Sequence, residues 1–147
     1  MQRFINYKKR KQVRGSSKNS SVLWNKAPDI KKRIEFLVLS LDIKWVDVDK
    51  IVAFRSQNSK ARAYARIWGL NKVWQMALNQ EPSYVIEVLS ERYDNLPQRK
   101  QDEILIHELC HIPKNFSGSL LPHTSKRKGN FHDKVHTLVA QYKRIKI

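Results

Sequence analysis

Cysteine occurs once in the 147-residue chain, at Cys110. A lone thiol excludes an internal disulfide framework and fits a reducing compartment. It also excludes a cysteine-rich zinc finger, so any metal must be held mainly by histidines. No apolar run is long enough to span a bilayer. Met1 to Ser20 is basic and lacks the apolar segment of a signal peptide. These absences lead to the expectation of an intracellular, cytoplasmic protein with no membrane attachment. Acidic residues are scarce: 13 Asp and Glu stand against 29 Lys and Arg, a formal net charge of +16. Such an excess attracts polyanions: nucleic acid, an acidic partner or an anionic surface.

What is present suffices for one domain with a modest core. Residues 22–147 are expected to form it. Residues 1–21 hold Lys8-Lys9-Arg10-Lys11, Arg14 and Lys18 with no acidic residue, and read as a disordered basic arm. The arm is either a non-specific nucleic-acid tether or a solubilising tail.

Pro28-Asp29 opens a helix on which Ile30, Ile34, Leu37, Val38 and Leu41 recur at helical spacing. Asp49 to Ser56 reads as a strand around Ile51-Val52-Ala53-Phe54, with a turn at Gln57-Asn58-Ser59. Ala61 to Leu70 alternates, with Ala63, Ala65 and Ile67 on one face and Tyr64, Arg66 and Trp68 on the other. Gly69 to Asn79 fits either a short helix or a hairpin arm. Ser83 to Leu89 is the clearest strand. A helix from about Pro97 to Ile112 follows, with Asp94-Asn95-Leu96-Pro97 as its capping segment. Lys114 to Gly129 is irregular. A last helix spans about Asn130 to Arg144, with Phe131, Val135, Leu138, Val139 and Tyr142 as its buried stripe. The order predicts an α+β fold.

The helix before Pro113 carries His107-Glu108-Leu109-Cys110-His111, an H-E-x-x-H motif. Residues four apart share a helix face, so His107 and His111 can aim at one metal ion. Glu108 lies about 100° round from His107, near the metal but not bound to it. A general base for a metal-activated water would sit there. The segment is apolar almost all round, which predicts central burial. Cys110 points away from the histidine face and reads as an inert buried thiol.

A catalytic zinc takes three protein ligands and keeps one position open. The candidates for the third are His123, His132, Asp133 and His136. His123, in a loop beside Pro122, is free to return over the helix and is the first choice. His132 and His136 share a helix flank and are the alternative pair. Either of these two is also a candidate to stabilise an oxyanion, as are Tyr84, Tyr93 and Arg66. Glu103 and Glu87 are candidates to hold a ligand imidazole.

Tyr84-Val85-Ile86-Glu87, Ile106 through Pro113, Phe116-Ser117-Gly118 and His123 resemble the putative metallopeptidases of archaea and phages. Ala65-Arg66-Ile67-Trp68-Gly69-Leu70 fits that family as well, and the likeness spans roughly Asp49 to Tyr142. The core also resembles the SprT-like minimal zincins, which use H-E-x-x-H plus a distal histidine. The resemblance implies a small, mostly antiparallel sheet packed on the motif helix, with flanking N- and C-terminal helices. It implies His107, His111 and His123 as ligands of one zinc and Glu108 as the catalytic acid/base. The expected function is therefore zinc-dependent hydrolysis of peptide bonds, with a protein or peptide substrate. SprT-like enzymes can act on DNA-bound proteins. No separate DNA-reading module follows here, so that link rests on charge. The alternative is a basic nucleic-acid-associated protein with a structural zinc.

Overall fold

Residues 21–123 and 131–145 are described by the computed structural model. Residues 1–20 of the basic arm and the Lys126-Arg127-Lys128 run lie outside the described residues.

The chain enters on strand β1 (Leu23–Lys26) and turns at once into helix α1 (Pro28–Ser40). Pro28 pre-sets the helical backbone of the first turn, and Asp29 faces the positive end of the helix dipole. The 3.6-residue period then buries Ile30, Ile34 and Leu37 together. A short 3₁₀ turn over Val48–Lys50 precedes strand β2 (Ile51–Gln57), which therefore begins two residues later than the sequence suggests. Strand β3 (Ala65–Gly69) is shorter than the expected Ala61–Leu70. The ambiguous stretch is helical: α2 (Lys72–Leu78) is capped by the Asn71 side chain and stopped by Asn79 in the left-handed conformation. Strand β4 (Tyr84–Leu89), a one-turn helix α3 (Ser90–Tyr93), helix α4 (Gln98–Cys110) and helix α5 (Phe131–Lys143) complete the order.

The fold is α+β, with a four-stranded sheet in the order β1-β2-β4-β3. The outer pairings are antiparallel, as expected, whereas β2 and β4 run parallel. β3 and α2 form the crossover that a parallel pair requires. Ile51, Ala53, Ile86, Val88 and Ala65 point to the inner face and share a core with Ile34 and Leu37 of α1 and Leu105 and Leu109 of α4. The opposite face carries Trp24, Val52, Phe54 and Trp68, all at least partly exposed.

The expected capping of α4 by Asp94 does not occur. Pro97 takes the cap position without a side-chain hydrogen bond. Asp94 instead binds Arg55, at 3.0–3.2 Å, and Ser90. What ties α4 into the protein is Asp102, buried on its first half. Its carboxylate takes both fork nitrogens of Arg33 on α1, at 2.7 and 2.5 Å, and the Tyr142 hydroxyl of α5 at 2.5 Å. Gln98 donates to it as well, at 2.9 Å.

A second buried carboxylate, Glu87, sits in the middle of β4 on the outer face. Arg66 donates to it at 2.9 and 3.0 Å, Ser56 at 2.7 Å and Trp68 Nε1 at 3.1 Å. Burial alone would raise its pKa. The bonds from Arg66, Ser56 and Trp68 outweigh that and hold the carboxyl below its ordinary 4.5. A carboxylate depressed in the folded state stabilises fully above its unfolded pKa and loses that contribution as pH falls through its folded value. Unfolding free energy should therefore decline below pH 4.5, and Glu87→Gln should make that decline shallower. Urea midpoints from pH 3 to 7 measure it; identical acid limbs would remove Glu87 as a contributor.

Candidate metal centre

The H-E-x-x-H segment forms the last turn of α4, with His111 at its C-cap. Leu105, Ile106, Leu109 and Cys110 are buried around it, as the all-round apolar pattern predicts. Burial raises the Cys110 thiol pKa to about 12, so the thiol is inert. His107 and His111 look the other way, onto a cleft of about 1230 Å³ between β3, α4, α5 and the loop through His123.

That loop is fixed at both ends. Leu121 N–H donates to the His111 carbonyl at 2.7 Å, and His111 Nδ1–H donates back to the Leu121 carbonyl at 2.6 Å. Further back, Gly118 N–H donates to the Tyr84 hydroxyl, which donates to the Ser119 carbonyl, both at 2.8 Å. Gly118, at φ +91°, presses its carbonyl against Gly69 so closely that a Cβ on Gly69 would lie 2.1 Å from it. Gln75 of α2 bridges the same junction, donating to the Leu70 and Ser117 carbonyls. The loop thereby brings His123 over the helix.

The donor atoms of His107, His111 and His123 lie within 4.8 Å of one another. Nε2 of His107 and Nε2 of His123 are 3.1 Å apart. Two nitrogens on a tetrahedral zinc at 2.0–2.1 Å are about 3.3 Å apart, so the spacing suits such an ion. The bond from His111 Nδ1 to a backbone carbonyl fixes the tautomer and leaves Nε2 with its lone pair. Burial, reinforced by the neighbouring imidazoles, lowers the His107 pKa to about 4, and burial also lowers that of His111. Both rings are then neutral at pH 7, the form that binds metal. The residues present fit a metal ion.

Glu108 lines the same cleft and is 8% exposed. It accepts no hydrogen bond from the described residues, and burial raises its carboxyl pKa to about 8.

Several other candidates fall away. His132 and His136 stand outside the three-histidine group; only His136 lines the cleft. Tyr84 and Tyr93 are buried, with hydroxyls bound to the loop and to the Gln101 carbonyl. Glu87 and Glu103 bond none of the three histidines: the first serves Arg66 and Trp68, the second pairs with Lys100. The Leu121 carbonyl instead takes the His111 ring, and no side-chain pattern could have revealed it. Phe131, expected only as core, stacks on His111 at 4.3 Å and meets His107 and His123 edge-on at 4.9 Å each. Its place at the first position of α5, after a loop carrying a histidine, is the only signal the sequence offered.

The family model described as "Putative phage metallopeptidase" matches residues 22–143. The chain belongs to that family. No curated protein and no solved structure gives a significant match. The family's designation points to a metal-dependent peptidase acting on protein or peptide. The three-histidine group supplies a place for the metal. Among the described residues, no helix is long and apolar enough to cross a membrane.

Proposed function

We propose that residues 22–147 form a zinc-dependent peptidase in which His107, His111 and His123 hold the ion and Glu108 moves the proton. One observation supports this most: three imidazole nitrogens and a buried carboxylate with no partner among the described residues meet on one open cleft. Three imidazoles suit zinc, and with no fourth protein ligand among the described residues there is room for chemistry. Zinc in such a site supplies Lewis acidity, activating water near neutral pH and polarising the scissile carbonyl. Burial alone favours the protonated Glu108 carboxyl, but a zinc held beside it would favour the carboxylate, which takes a proton from the attacking water and passes it to the leaving amine. Its burial shields that transfer from bulk solvent. His111 is kept in the ligating tautomer by Leu121, and Phe131 packs the three rings against rotation.

Among the described residues β3 pairs only with β4, which leaves its second edge unpaired beside the cleft. An extended peptide can pair with that edge, presenting its carbonyls to the site. Of the oxyanion candidates named from the sequence, His136 and Arg66 line the cleft.

Elemental analysis of purified protein should find one zinc per chain. His107→Ala and His111→Ala should each lose it, His123→Ala should bind it far more weakly, and His132→Ala should bind it as wild type does. A quenched fluorescent peptide should be cleaved by the loaded protein, and chelation should abolish cleavage. Wild-type zinc affinity in His123→Ala would remove the third ligand from this reading. Phe131→Ala should weaken zinc binding by about 10- to 100-fold, the range for residues that orient ligands. Competition with a chromophoric chelator measures it, and an unchanged affinity would reduce Phe131 to a core residue.

A further inference from the structure

We propose that the outer face of the sheet is a stacking platform for single-stranded nucleic acid. The strand register sets three rows across it. Trp24 lies beside Ser56 and Leu89; Lys26, Phe54, Glu87 and Arg66 form the next row; Val52, Val85 and Trp68 form the third. Trp24 is 47% exposed and Trp68 49%, values high for rings this large in a sheet.

Trp68 is held in place. Its Nε1 donates to Glu87, and the Arg66 guanidinium, itself bound to Glu87, lies 5.1 Å from the centre of its ring. Trp24 is braced edge-on against Phe54 at 6.4 Å. Rings fixed before binding lose little entropy when a ligand lands on them.

Charge decides what lands. Glu87 is the only acidic residue that the register places on this face, and it is buried and paired with Arg66. With Arg66 neutralised by Glu87, the cation left open on the face is Lys26, on a chain of net charge +16. A second copy would bring the same excess of positive charge to the contact, which argues against self-association. Among the described residues the register places no unpaired acid there to oppose a polyanion. Among polyanions, single strands expose base faces that can stack on aromatic rings, whereas a duplex hides them. Three inter-strand steps of about 4.8 Å give the face a width of about 14 Å, room for a few nucleotides. Arg66 and Trp68 also line the cleft, so a strand on this face reaches its rim. The binding itself does not depend on the catalytic reading.

The test is fluorescence anisotropy of the full chain with labelled dT20 and with a duplex of equal length, at two salt concentrations. dT20 should bind more tightly than the duplex. Trp24→Ala and Trp68→Ala should each weaken dT20 binding at least about fivefold, the lower end of the range for one stacked base, without changing the salt dependence. Trp24→Phe should restore most of the affinity. Lys26→Ala should lower the slope of log affinity against log salt by about 0.7, one phosphate contact on a single strand. Trp24 lies on an exposed edge strand, so its variant decides the matter even where Trp68→Ala fails to fold. Unchanged dT20 affinity in Trp24→Ala overturns the proposal. So do preference for duplex, binding to phosphatidylglycerol vesicles but not dT20, and a dimer that Trp24→Ala dissolves.

Discussion

Glu108→Gln should leave zinc binding intact and slow peptide cleavage by about 10²- to 10⁴-fold, the contribution typical of a positioned proton-transfer group. The two side chains are nearly the same size, and Glu108 has no hydrogen-bond partner among the described residues whose loss would disturb the fold. The three imidazoles depend on Leu121 and Phe131 for their orientation, not on Glu108. The substitution therefore removes a proton acceptor and little else. The effect should fall on kcat, because Gln cannot take the proton of the attacking water. Zinc content, circular dichroism and single-turnover cleavage together give the answer. Wild-type kcat in a preparation free of other proteases would end the role of Glu108. Loss of zinc in the variant would instead make it a ligand.

Asp102→Ala should destabilise the protein by about 3–5 kcal/mol, the cost of leaving one partner of a buried ion pair uncompensated. The loss strands Arg33, Gln98 and the Tyr142 hydroxyl at once, and so unties α1 and α5 from α4. Natural domains have only about 5–15 kcal/mol in hand, so the variant should lose a large share of its stability. Asp102→Asn keeps the shape and an acceptor for Tyr142, and should cost less. Urea unfolding reads the difference as a shifted midpoint with an unchanged slope. A shift worth under 1 kcal/mol would mean that the junction is held by apolar packing alone.

Asp102 did not stand out in the sequence, because a single acid in a helix looks like any solvated charge, and Tyr142 stood out only as part of an apolar stripe. Periodicity was informative where burial was one-sided: α1, β4, α4 and α5 all lie close to where their apolar spacing puts them. It failed where burial was absent. Leu23–Lys26 is exposed at every position, so β1 leaves no alternation to read. In α2, Val73, Trp74, Met76 and Leu78 are all exposed, which blurred helix and strand. The parallel β2–β4 pairing is a matter of topology that neither strand encodes alone. At the site, the four-residue step from His107 to His111 was legible, and the loop places a His123 ring nitrogen within 4.8 Å of theirs. The supporting contacts were not legible, since one is a backbone carbonyl and the other a phenylalanine already accounted for as core.

His107 and His123 are only 16 residues apart in sequence, although their Nε2 atoms come within 3.1 Å. The whole candidate donor set thus sits on one short piece of chain. Closing a loop of that length costs about 3 kcal/mol, and the cost grows only with the logarithm of length. An unfolded chain therefore retains part of its ability to gather the same three imidazoles around an ion. Ligand that binds both states stabilises only by the difference in affinity. Zinc would then raise the melting temperature by less than its native-state affinity implies, and a denatured chain would still compete for the metal.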